Sequence, residues 1–328
     1  MNYKLDLKDK KLLYELDLNS RQSLGEIGKK IGLSKNSVKY RIDNLTKEGL
    51  IKQFHTVVDI SKLGFISFRL YLNLRNTTPE KEKEITEFLS KKNIVTWLVS
   101  IEGKYDLGAL ILTKTIKEMD ELWNELNIKY GNFLENKLLT IMTKVRYFSR
   151  AFLKDLKSNN YEIAFVSEPL GEIEKQEIDE TDWKILQLLA PNARISIVDI
   201  SEELKLNEKT IISRIRKLEE KKIIIGYKTV FDLEKLGYLY YKIHFKLHNY
   251  SKDTFKKFKE YIKEHPNIIY DDEVLGGDDV EVELQVKDTN ELRKIIDEIK
   301  KEFGTIIADY FTLLFFKEHK YIFLPIKN

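Results

Sequence analysis

The sequence contains no cysteine in its 328 residues. This absence excludes disulfide bonds, cysteine-ligated zinc and thiol catalysis together. Histidine is scarce as well, with 5 residues, and neither a Gly-x4-Gly-Lys phosphate loop nor a His-Glu-x-x-His motif is present. His244 and His248 lie on one predicted strand, where the strand rise places them roughly 13 Å apart, too far to share a metal. We therefore expect no catalytic residue, no metal and no cofactor, and we predict that the protein is not an enzyme.

Long apolar runs are also missing. No segment approaches the ~18 apolar residues that a membrane span requires, and the segment from Met1 to Asp6 has no apolar signal core. Only 5 prolines and 14 glycines accompany a hydrophobic fraction of 42%, which is typical of a folded chain. We expect a cytoplasmic protein with two or more domains. Its formal net charge is only +3, so any basic surface must be local.

One stretch, residues 33–51, has the pattern of a DNA-reading helix. Its apolar residues at helical spacing are Val38, Ile42 and Leu45. Ser34 is placed to cap the helix, and Gly49 is placed to end it. The residues that we predict to contact DNA are Ser34, Lys35, Asn36, Ser37, Lys39, Tyr40, Arg41 and Asn44.

A second short amphipathic segment, residues 24–31, precedes this helix, and Gly32 supplies the turn between them. Two short helices joined by a turn of about three or four residues, the second polar and basic outward, are typical of a helix-turn-helix. For a single copy, an ordinary helical hairpin with a solvated charged face is the alternative.

The pattern occurs twice, because an offset of 173 residues pairs Asp6 with Asp179 and Arg41 with Arg214 without a gap. The repeated unit is roughly 150 residues long, so two copies are too few and too long for a solenoid. The predicted DNA-contacting residues of the second copy are Asn207, Lys209, Thr210, Ser213, Arg214 and Lys217. Glu208 replaces Lys35 and other contact positions differ too, so we predict that the two heads prefer different bases.

After each helical region the pattern changes to βαββαβ, the ferredoxin-like order of an antiparallel sheet with two helices on one face. In the first copy the last of these strands is predicted at residues 133–141. The predicted fold class is therefore α+β. The predicted domains are residues 1–60 (winged helix-turn-helix), 61–153 (ferredoxin-like), 154–177 (linker), 178–233 (second winged helix-turn-helix) and 234–328 (second ferredoxin-like).

Three details of this prediction concern short segments. Residues 51–58 alternate, and we predict a strand pair there that forms the wing of the head. His55 is replaced by Lys228 in the second copy, so we place this position at the surface. The linker is acidic, contains Pro169 and Gly171, and has a candidate strand at residues 163–166.

The combined motifs resemble the Lrp/AsnC family of prokaryotic transcriptional regulators. The second copy keeps part of the pattern, including Asn192, Arg194, Arg214 and Leu218. The first-copy residues that carry the resemblance are Leu5, Asp6, Asp9, Leu12, Leu13, Asn19, Arg21, Gln22, Ser23, Ile27, Gly32, Leu33, Ser34, Val38, Arg41, Leu45, Gly49, Leu50, Ile51, Val58, Asp59, Leu63 and Gly64.

The resemblance implies a winged helix that binds double-stranded DNA and a ferredoxin-like effector module that dimerises and holds a small molecule, often an amino acid. Chains of this family usually contain one such unit. We therefore predict that the tandem forms an intramolecular pseudo-dimer, with further homo-oligomers as an open alternative, and that it regulates transcription through two unlike heads.

The family's ligand pocket lies near a Gly-x-Tyr-Asp-like loop. Gly103, Tyr105 and Asp106 match it, whereas the second copy keeps only Gly276 and Asp279. The alternative is a hairpin turn that needs glycine for positive φ and aspartate for a bond to the backbone. The acidic residues nearby, which form either a cation site or charged strand faces, are Asp271, Asp272, Glu273, Glu281 and Glu283.

Two other functions stay open. The sirohaem decarboxylases are similar to paired units of this kind and depend on histidine and arginine in the sheet module. None of the 5 histidines occupies the same position in both copies, and the first sheet has Tyr105 and Asp106 where the substrate-binding pattern is expected. A metabolite sensor whose heads no longer bind DNA is the other alternative.

Overall fold

The computed structural model describes residues 4–159, 161–166, 176–322, 324 and 325. It contains the two predicted helical heads and the two predicted βαββαβ units, which confirms the α+β fold class. In chain order the elements are α1 (Leu7–Leu18), α2 (Leu24–Ile31), α3 (Lys35–Lys47), β1 (Ile51–Val58), β2 (Ile66–Leu74), α4 (Pro79–Ser90), β3 (Val95–Gly103), β4 (Leu107–Thr113), α5 (Ile116–Tyr130), β5 (Leu134–Phe148), β6 (Glu162–Val166), α6 (Glu180–Leu189), α7 (Ile197–Leu204), α8 (Glu208–Glu220), β7 (Ile224–Phe231), α9 (Leu233–Leu236), β8 (Leu239–Leu247), α10 (Lys252–Glu264), β9 (Ile268–Leu275), β10 (Val280–Val286), α11 (Thr289–Phe303) and β11 (Ile307–Tyr321).

The helices of the first head begin at side-chain caps. Asp6 and Asp9 exchange two bonds at the start of α1, with Asp9 N–H donating to Asp6 Oδ1 at 2.7 Å and Asp6 N–H to Asp9 Oδ2 at 3.1 Å. Ser34 caps α3 as predicted, because its Oγ accepts the N–H of Ser37 at 3.1 Å. Gly49 follows α3 with a φ of 71°, a left-handed conformation that glycine adopts without strain. These local signals explain why α3 begins and ends where the pattern predicts.

The two sheet units join into one closed barrel. The strand order is β2-β4-β3-β11-β8-β10-β9-β5-β6, and β5 also pairs with β2, which closes the ring. The two units are connected by β5 with β9 and by β11 with β3, both antiparallel. The intramolecular pseudo-dimer predicted from the tandem is therefore present in this one chain.

Alternation along the strands separates the two faces of the barrel. Phe68, Leu70 and Leu72 of β2 pack outward against α4 and α5, in one apolar cluster with residues such as Leu89 and Leu122. The alternate residues of β2, including Arg69 and Tyr71, lie on the opposite face, toward the interior, and are buried. The barrel is therefore covered by helices outside and filled by large and partly polar side chains inside.

The last strand of the first unit is longer than predicted. The interpretation of residues 133–141 as a complete strand was wrong, because β5 runs on to Phe148. Its first part pairs with β2 of its own unit, and its second part pairs with β9 of the other unit. The extension forms long-range contacts between units, which the local apolar pattern does not encode.

The predicted wing was also wrong. In the described residues each head has one strand after the recognition helix, and β1 pairs with β7 of the other head. His55 lies opposite Lys228 in this strand pair, and both side chains are buried, so their predicted surface position is corrected. This strand pair joins the two heads. It also covers one side of the barrel, because its residues His55 and Val57 line the cavity in the barrel interior.

The linker contributes one described element. Its candidate strand is present as β6, which pairs antiparallel with the end of β5. Pro169 and Gly171 lie outside the described residues. No helix among the described residues is both long and apolar enough to cross a membrane.

Candidate nucleic-acid interface and effector site

The two recognition helices, α3 and α8, bury one stripe and expose the other. The buried stripe consists of Val38, Ile42 and Leu45 in α3, and of Ile211, Ile215 and Leu218 in α8. Most predicted contact residues are exposed: Ser34, Lys35, Asn36, Lys39, Tyr40, Asn207, Lys209, Ser213 and Lys217. The remaining predicted contact residues are partly covered: Ser37, Arg41, Asn44, Thr210 and Arg214.

Arg41 and Arg214 are ion-paired within their own heads. Arg41 Nη1 lies 2.6 Å from Asp9 and 2.8 Å from Asp6, and both contacts tie α3 to the start of α1. Arg214 repeats the arrangement with Asp179 at 2.7 Å and Asp182 at 2.8 Å. The hydrogen bond that Arg41 donates to Asp9, followed by the one that it donates to Asp6, raises the pKa of Arg41 above its ordinary value. These contacts give the two arginines a role in positioning the recognition helices.

Ile212 belongs to the exposed face of α8 and was missed by the sequence prediction. It is 43% exposed and lies at the position equivalent to Lys39 of the first head. The contact residues predicted for this helix were all polar or charged, so the list did not include an isoleucine. The 173-residue offset could have identified Ile212, because it pairs Ile212 with Lys39, which was predicted to contact DNA.

Reciprocal contacts hold the heads together. Arg21 Nη1 of the first head donates to the carbonyl oxygens of Ala193 and, at 3.1 Å, Ile195 of the second. Arg194 donates in return to the carbonyl oxygens of Ser20 and, at 3.2 Å, Gln22. Both pairs obey the 173-residue offset, so the heads are related by an approximate two-fold axis.

Two threonine hydroxyl groups on the strand pair form further hydrogen bonds between the heads. Thr56 Oγ1 donates to Leu189 O at 2.8 Å, and the equivalent Thr229 Oγ1 donates to Leu16 O at 2.9 Å. Each threonine belongs to one head and each carbonyl to the other. The relative orientation of the two recognition helices is therefore fixed by hydrogen bonds on both sides of the axis.

The predicted effector residues occupy hairpins of the barrel. Asp106 Oδ2 accepts from the Leu74 N–H at 2.7 Å and from Asn73 Nδ2 at 3.0 Å. Asp279 Oδ2 accepts from the Leu247 N–H at 2.7 Å, the equivalent contact in the second unit. Both aspartates thus bond to the backbone at the last residue of a neighbouring strand, β2 or β8, and not to the backbone of their own turn.

Glycine and tyrosine complete these hairpins. Gly103 and Gly276 have φ values of 135° and 86°, which a residue with a Cβ adopts only under strain. Tyr105 is buried and stacks on Tyr71 with ring centroids 5.1 Å apart. The hairpin alternative accounts for the glycine conformations, and an effector role for Gly103, Tyr105, Asp106, Gly276 and Asp279 stays a prediction.

The acidic residues of the second unit do not form solvated strand faces. Lys242 Nζ lies 2.5 Å from Asp272 and 3.0 Å from Glu281, with all three side chains buried. Arg69 Nη2 of the first unit lies 3.1 Å from Asp272. Burial raises the pKa of Asp272, but Lys242 and Arg69 outweigh burial and lower it below its ordinary value. The interpretation of these acidic residues as charged strand faces is therefore corrected, because Asp272 and Glu281 form buried ion pairs.

The other interpretation, a cation site, finds no support in the described residues. No group of three or more histidine, aspartate or glutamate side chains within them has an arrangement that could hold a metal ion. Lys259 and Arg146 pair with Asp271, the latter at 2.8 Å, so this carboxylate is neutralised by protein cations.

A small cavity lies in the barrel interior beside the strand pair. Its free volume is about 70 Å³, room for a few water molecules or a molecule of similar size. Arg69, Asp272 and Glu283 supply the charged part of its lining. Aromatic rings supply much of the rest: Trp97, Tyr147, Tyr240, Tyr270 and Tyr321.

Comparisons with known proteins match both halves of the chain. A model of winged helix-turn-helix DNA-binding domains matches residues 5–52, and a model of the AsnC-type helix-turn-helix domain matches residues 178–219. A model of the Lrp/AsnC ligand binding domain matches residues 242–322. Each head is thus matched by a DNA-binding family model.

Two regulators illustrate the level of similarity. The HTH-type transcriptional regulator Ptr1 of Methanocaldococcus jannaschii is 31% identical over 141 residues, which cover 42% of this chain and 84% of Ptr1. The HTH-type transcriptional regulator FL11 of Pyrococcus horikoshii is 30% identical over 151 residues, 46% of this chain and 97% of FL11. Each of these regulators therefore corresponds to about one of the two units.

Solved structures of one enzyme cover both units. The crystal structure of the siroheme decarboxylase NirDL superimposes on 96% of this chain and 93% of its own, with a TM-score of 0.63 and 12% sequence identity. Identity at this level shows a shared fold and carries no activity from one protein to the other.

Proposed function

The chain belongs to the Lrp/AsnC family, and from this premise we propose that it is a sequence-specific DNA-binding transcriptional regulator with two unlike reading heads. The observation that carries the proposal is the pair of recognition helices, which expose different side chains while reciprocal hydrogen bonds keep their relative orientation constant. A helix-turn-helix dimer reads two half-sites one helical turn, or a multiple of it, apart.

The two faces differ in charge and in shape. The first head exposes Lys35, Lys39 and Tyr40, and the last of these is 71% exposed. The second head exposes Glu208 and Ser213 at the positions of Lys35 and Tyr40. Lysine attracts phosphate and donates hydrogen bonds to guanine O6 and N7, whereas glutamate accepts from cytosine N4. We therefore propose an asymmetric operator with two unlike halves.

We further propose that a small molecule, an amino acid or another compact polar compound, controls this regulator through the barrel. The cavity supports this because residues of β1, among them His55 and Val57, share its lining with Arg69 and Asp272 of the barrel. A molecule in the cavity contacts the strand pair that joins the heads. Binding to the folded state raises the unfolding temperature, so a screen of amino acids by thermal unfolding identifies the effector.

The primary test is selection of bound fragments from a random duplex library by the full chain. We expect a bipartite site with unlike halves and an affinity that falls steeply as salt concentration rises. Lys39→Ala and Lys217→Ala each weaken binding, since both side chains are exposed and make no ion pair with the protein among the described residues. Arg41 and Arg214 are unsuitable for this test because their substitution also releases α3 or α8.

Each other outcome has a distinct meaning. A symmetric selected site indicates that one head reads DNA and that chains pair through it. Absence of enrichment at any salt concentration contradicts the proposed function and favours the metabolite sensor.

A decarboxylase function is the second candidate, favoured by the match to NirDL over the full length. We propose that the chain is not such an enzyme, because a tetrapyrrole needs a pocket within or above the ~300–1,000 Å³ range of drug-sized ligands, and the barrel cavity of about 70 Å³ admits only a far smaller molecule. His244, an interior histidine, stacks on Phe311 at 4.6 Å and is fully buried. After incubation with a tetrapyrrole and removal of the unbound compound by gel filtration, the protein is expected to carry no Soret band. A Soret band that elutes with the protein contradicts this part of the proposal.

A further inference from the structure

The exposed face of α8 contains one apolar side chain, Ile212, among polar neighbours. The residues that share this face are Glu208, Lys209, Ser213 and Arg216, all exposed. Ile212 is not part of the apolar cluster that fills the second head, although its neighbour Ile211 is. Packing within the head therefore does not explain an isoleucine at this position.

The equivalent face of α3 contains a cation at the same place. The corresponding residues of the first head are Lys35, Asn36, Lys39, Tyr40 and Asp43, all exposed. Lys39 lies at the position of Ile212. The two heads share the backbone geometry of this face, since both helices have 13 residues and are capped at the preceding residue, so the side chains occupy equivalent places.

The position of Ile212 along the helix limits what it can meet. It is the fifth residue of α8, and the N-terminal part of a recognition helix contacts base edges in the major groove. Phosphates offer nothing to an aliphatic side chain. The apolar group that the major groove displays is the C5-methyl group of thymine.

We propose that Ile212 contacts a thymine methyl group, so that the second head requires thymine at one position of its half-site while the first head does not at the equivalent position. This inference rests on the proposed function, because it assumes that α8 enters the major groove. It also specifies a source of the asymmetry of the operator: an apolar contact in one half-site and a cationic contact in the other.

The test uses uracil, which differs from thymine only by the missing methyl group. Each thymine of the second half-site in a selected duplex is replaced singly by deoxyuridine, and the affinity of the full chain is measured at constant salt. We expect one position at which the replacement lowers affinity about fourfold, the amount expected for one buried methyl group. At the other positions the affinity is expected to change little.

Variants assign the effect to the side chain. Ile212→Ala is expected to bind the thymine and deoxyuridine duplexes equally, with unchanged thermal unfolding because the side chain lies outside the head core. Ile212→Val keeps the discrimination. The matched control, Lys39→Ala, weakens binding to both duplexes and retains the preference for thymine.

The outcomes separate this inference from the proposed function. Tight, salt-dependent binding with no sensitivity to deoxyuridine at any position overturns the inference and leaves the regulator function standing. Retention of the preference by Ile212→Ala overturns it as well. Failure to bind any duplex overturns both.

Discussion

Lys228 of β7 lies directly opposite His55 of β1, at the strand pair where the two heads meet, and both side chains are buried. The Lys228 ammonium lies 4.0 Å from the ring centroid of Tyr147 and 4.3 Å from that of Tyr161. No hydrogen-bond acceptor reaches it among the described residues. Burial lowers the pKa of Lys228 to about 7, and burial followed by the charge of Lys228 lowers the pKa of His55 to about 3.

The Lys228 ammonium makes stability depend on pH. The pKa of Lys228 is about 7 in the folded state, below its ordinary value of 10.5. Folding therefore releases a proton at pH values between about 7 and 10.5. The penalty for burying the charge is complete below pH 7 and disappears as pH rises toward 10.5. Relative to Lys228→Met, the wild type is therefore expected to gain stability with rising pH, by an amount on the order of a few kcal/mol.

Urea unfolding of both proteins between pH 6 and pH 9 measures this difference. The other charged groups near Lys228 are Asp17 and Arg150, which remain paired with each other in the variant. Tyrosines whose pKa values are raised by burial, such as Tyr161, contribute equally to both proteins. A difference in unfolding free energy that stays constant with pH contradicts the prediction.

We expect the hydrogen bonds of Arg21 and Arg194 between the heads to determine how strictly the protein requires one spacing between the two half-sites of the operator. Arg21→Ala with Arg194→Ala removes four hydrogen bonds to carbonyl groups of the opposite head, so the heads lose part of their fixed orientation. We expect the double variant to bind duplexes with one base pair added or removed between half-sites nearly as well as the selected duplex. The wild type is expected to discriminate strongly. Arg75→Ala, an exposed arginine of the first sheet unit, is the control and should behave as the wild type.

Two lysines of the second head occupy backbone conformations that suit glycine. Lys205 and Lys222 have φ values of 53° and 56°, and the equivalent residues of the first head are Gly32 and Gly49. A left-handed conformation costs a residue with a Cβ about 1–2 kcal/mol, partly offset by the greater freedom of glycine in the unfolded chain. Lys222→Gly is therefore expected to stabilise the protein by roughly 0.5–1 kcal/mol.

Thermal or urea unfolding of Lys205→Gly, Lys222→Gly and the double variant measures this effect. The reverse substitution, Gly49→Lys, should destabilise because of the backbone strain at a φ of 71°; the Cβ also comes within 2.6 Å of Lys235 Nζ, a flexible side-chain end that can move away. Lys222→Ala is the control that removes the charge but keeps the Cβ, and it should not stabilise.

Local signals explain what was predictable. The helix α2 lies at the residues 24–31 indicated by its pattern, and α3 is bounded by Ser34 and Gly49, because caps and apolar periodicity act within a few residues. The 173-residue offset predicted two copies of one unit, and the arginine contacts between the heads obey the same offset.

Contacts between distant segments explain the errors. The strand β1 was expected to pair locally, but its partner β7 begins 173 residues later, at Ile224 against Ile51. That pairing turns position 55 inward, so Lys228 is buried although lysine is rarely buried in proteins. In the same way, the acidic residues of β9 and β10 were interpreted as charged strand faces. In the barrel, Lys242 and Arg69 instead form ion pairs with Asp272.

A variant that carries the exposed residues of α8 on α3 tests whether these residues determine the asymmetry of the operator. The substitutions Lys35→Glu, Asn36→Lys, Lys39→Ile and Tyr40→Ser give α3 the exposed side chains of α8 at these four positions. All four replaced side chains are exposed, so the core of the first head, including Val38 and Ile42, is untouched. The approximate two-fold axis then relates two heads with similar faces, and such a pair prefers a palindrome.

We therefore expect library selection with the fourfold variant to yield a symmetric site in which both halves resemble the second half of the wild-type operator. Unfolding measurements should show a stability close to that of the wild type, because surface substitutions away from caps and ion pairs change little. A selected site that remains asymmetric, with its first half unchanged, would show that residues outside this face determine base preference. A loss of all binding with stability intact would instead mean that the cations Lys35 and Lys39 supply most of the affinity of the pair, since the variant replaces both.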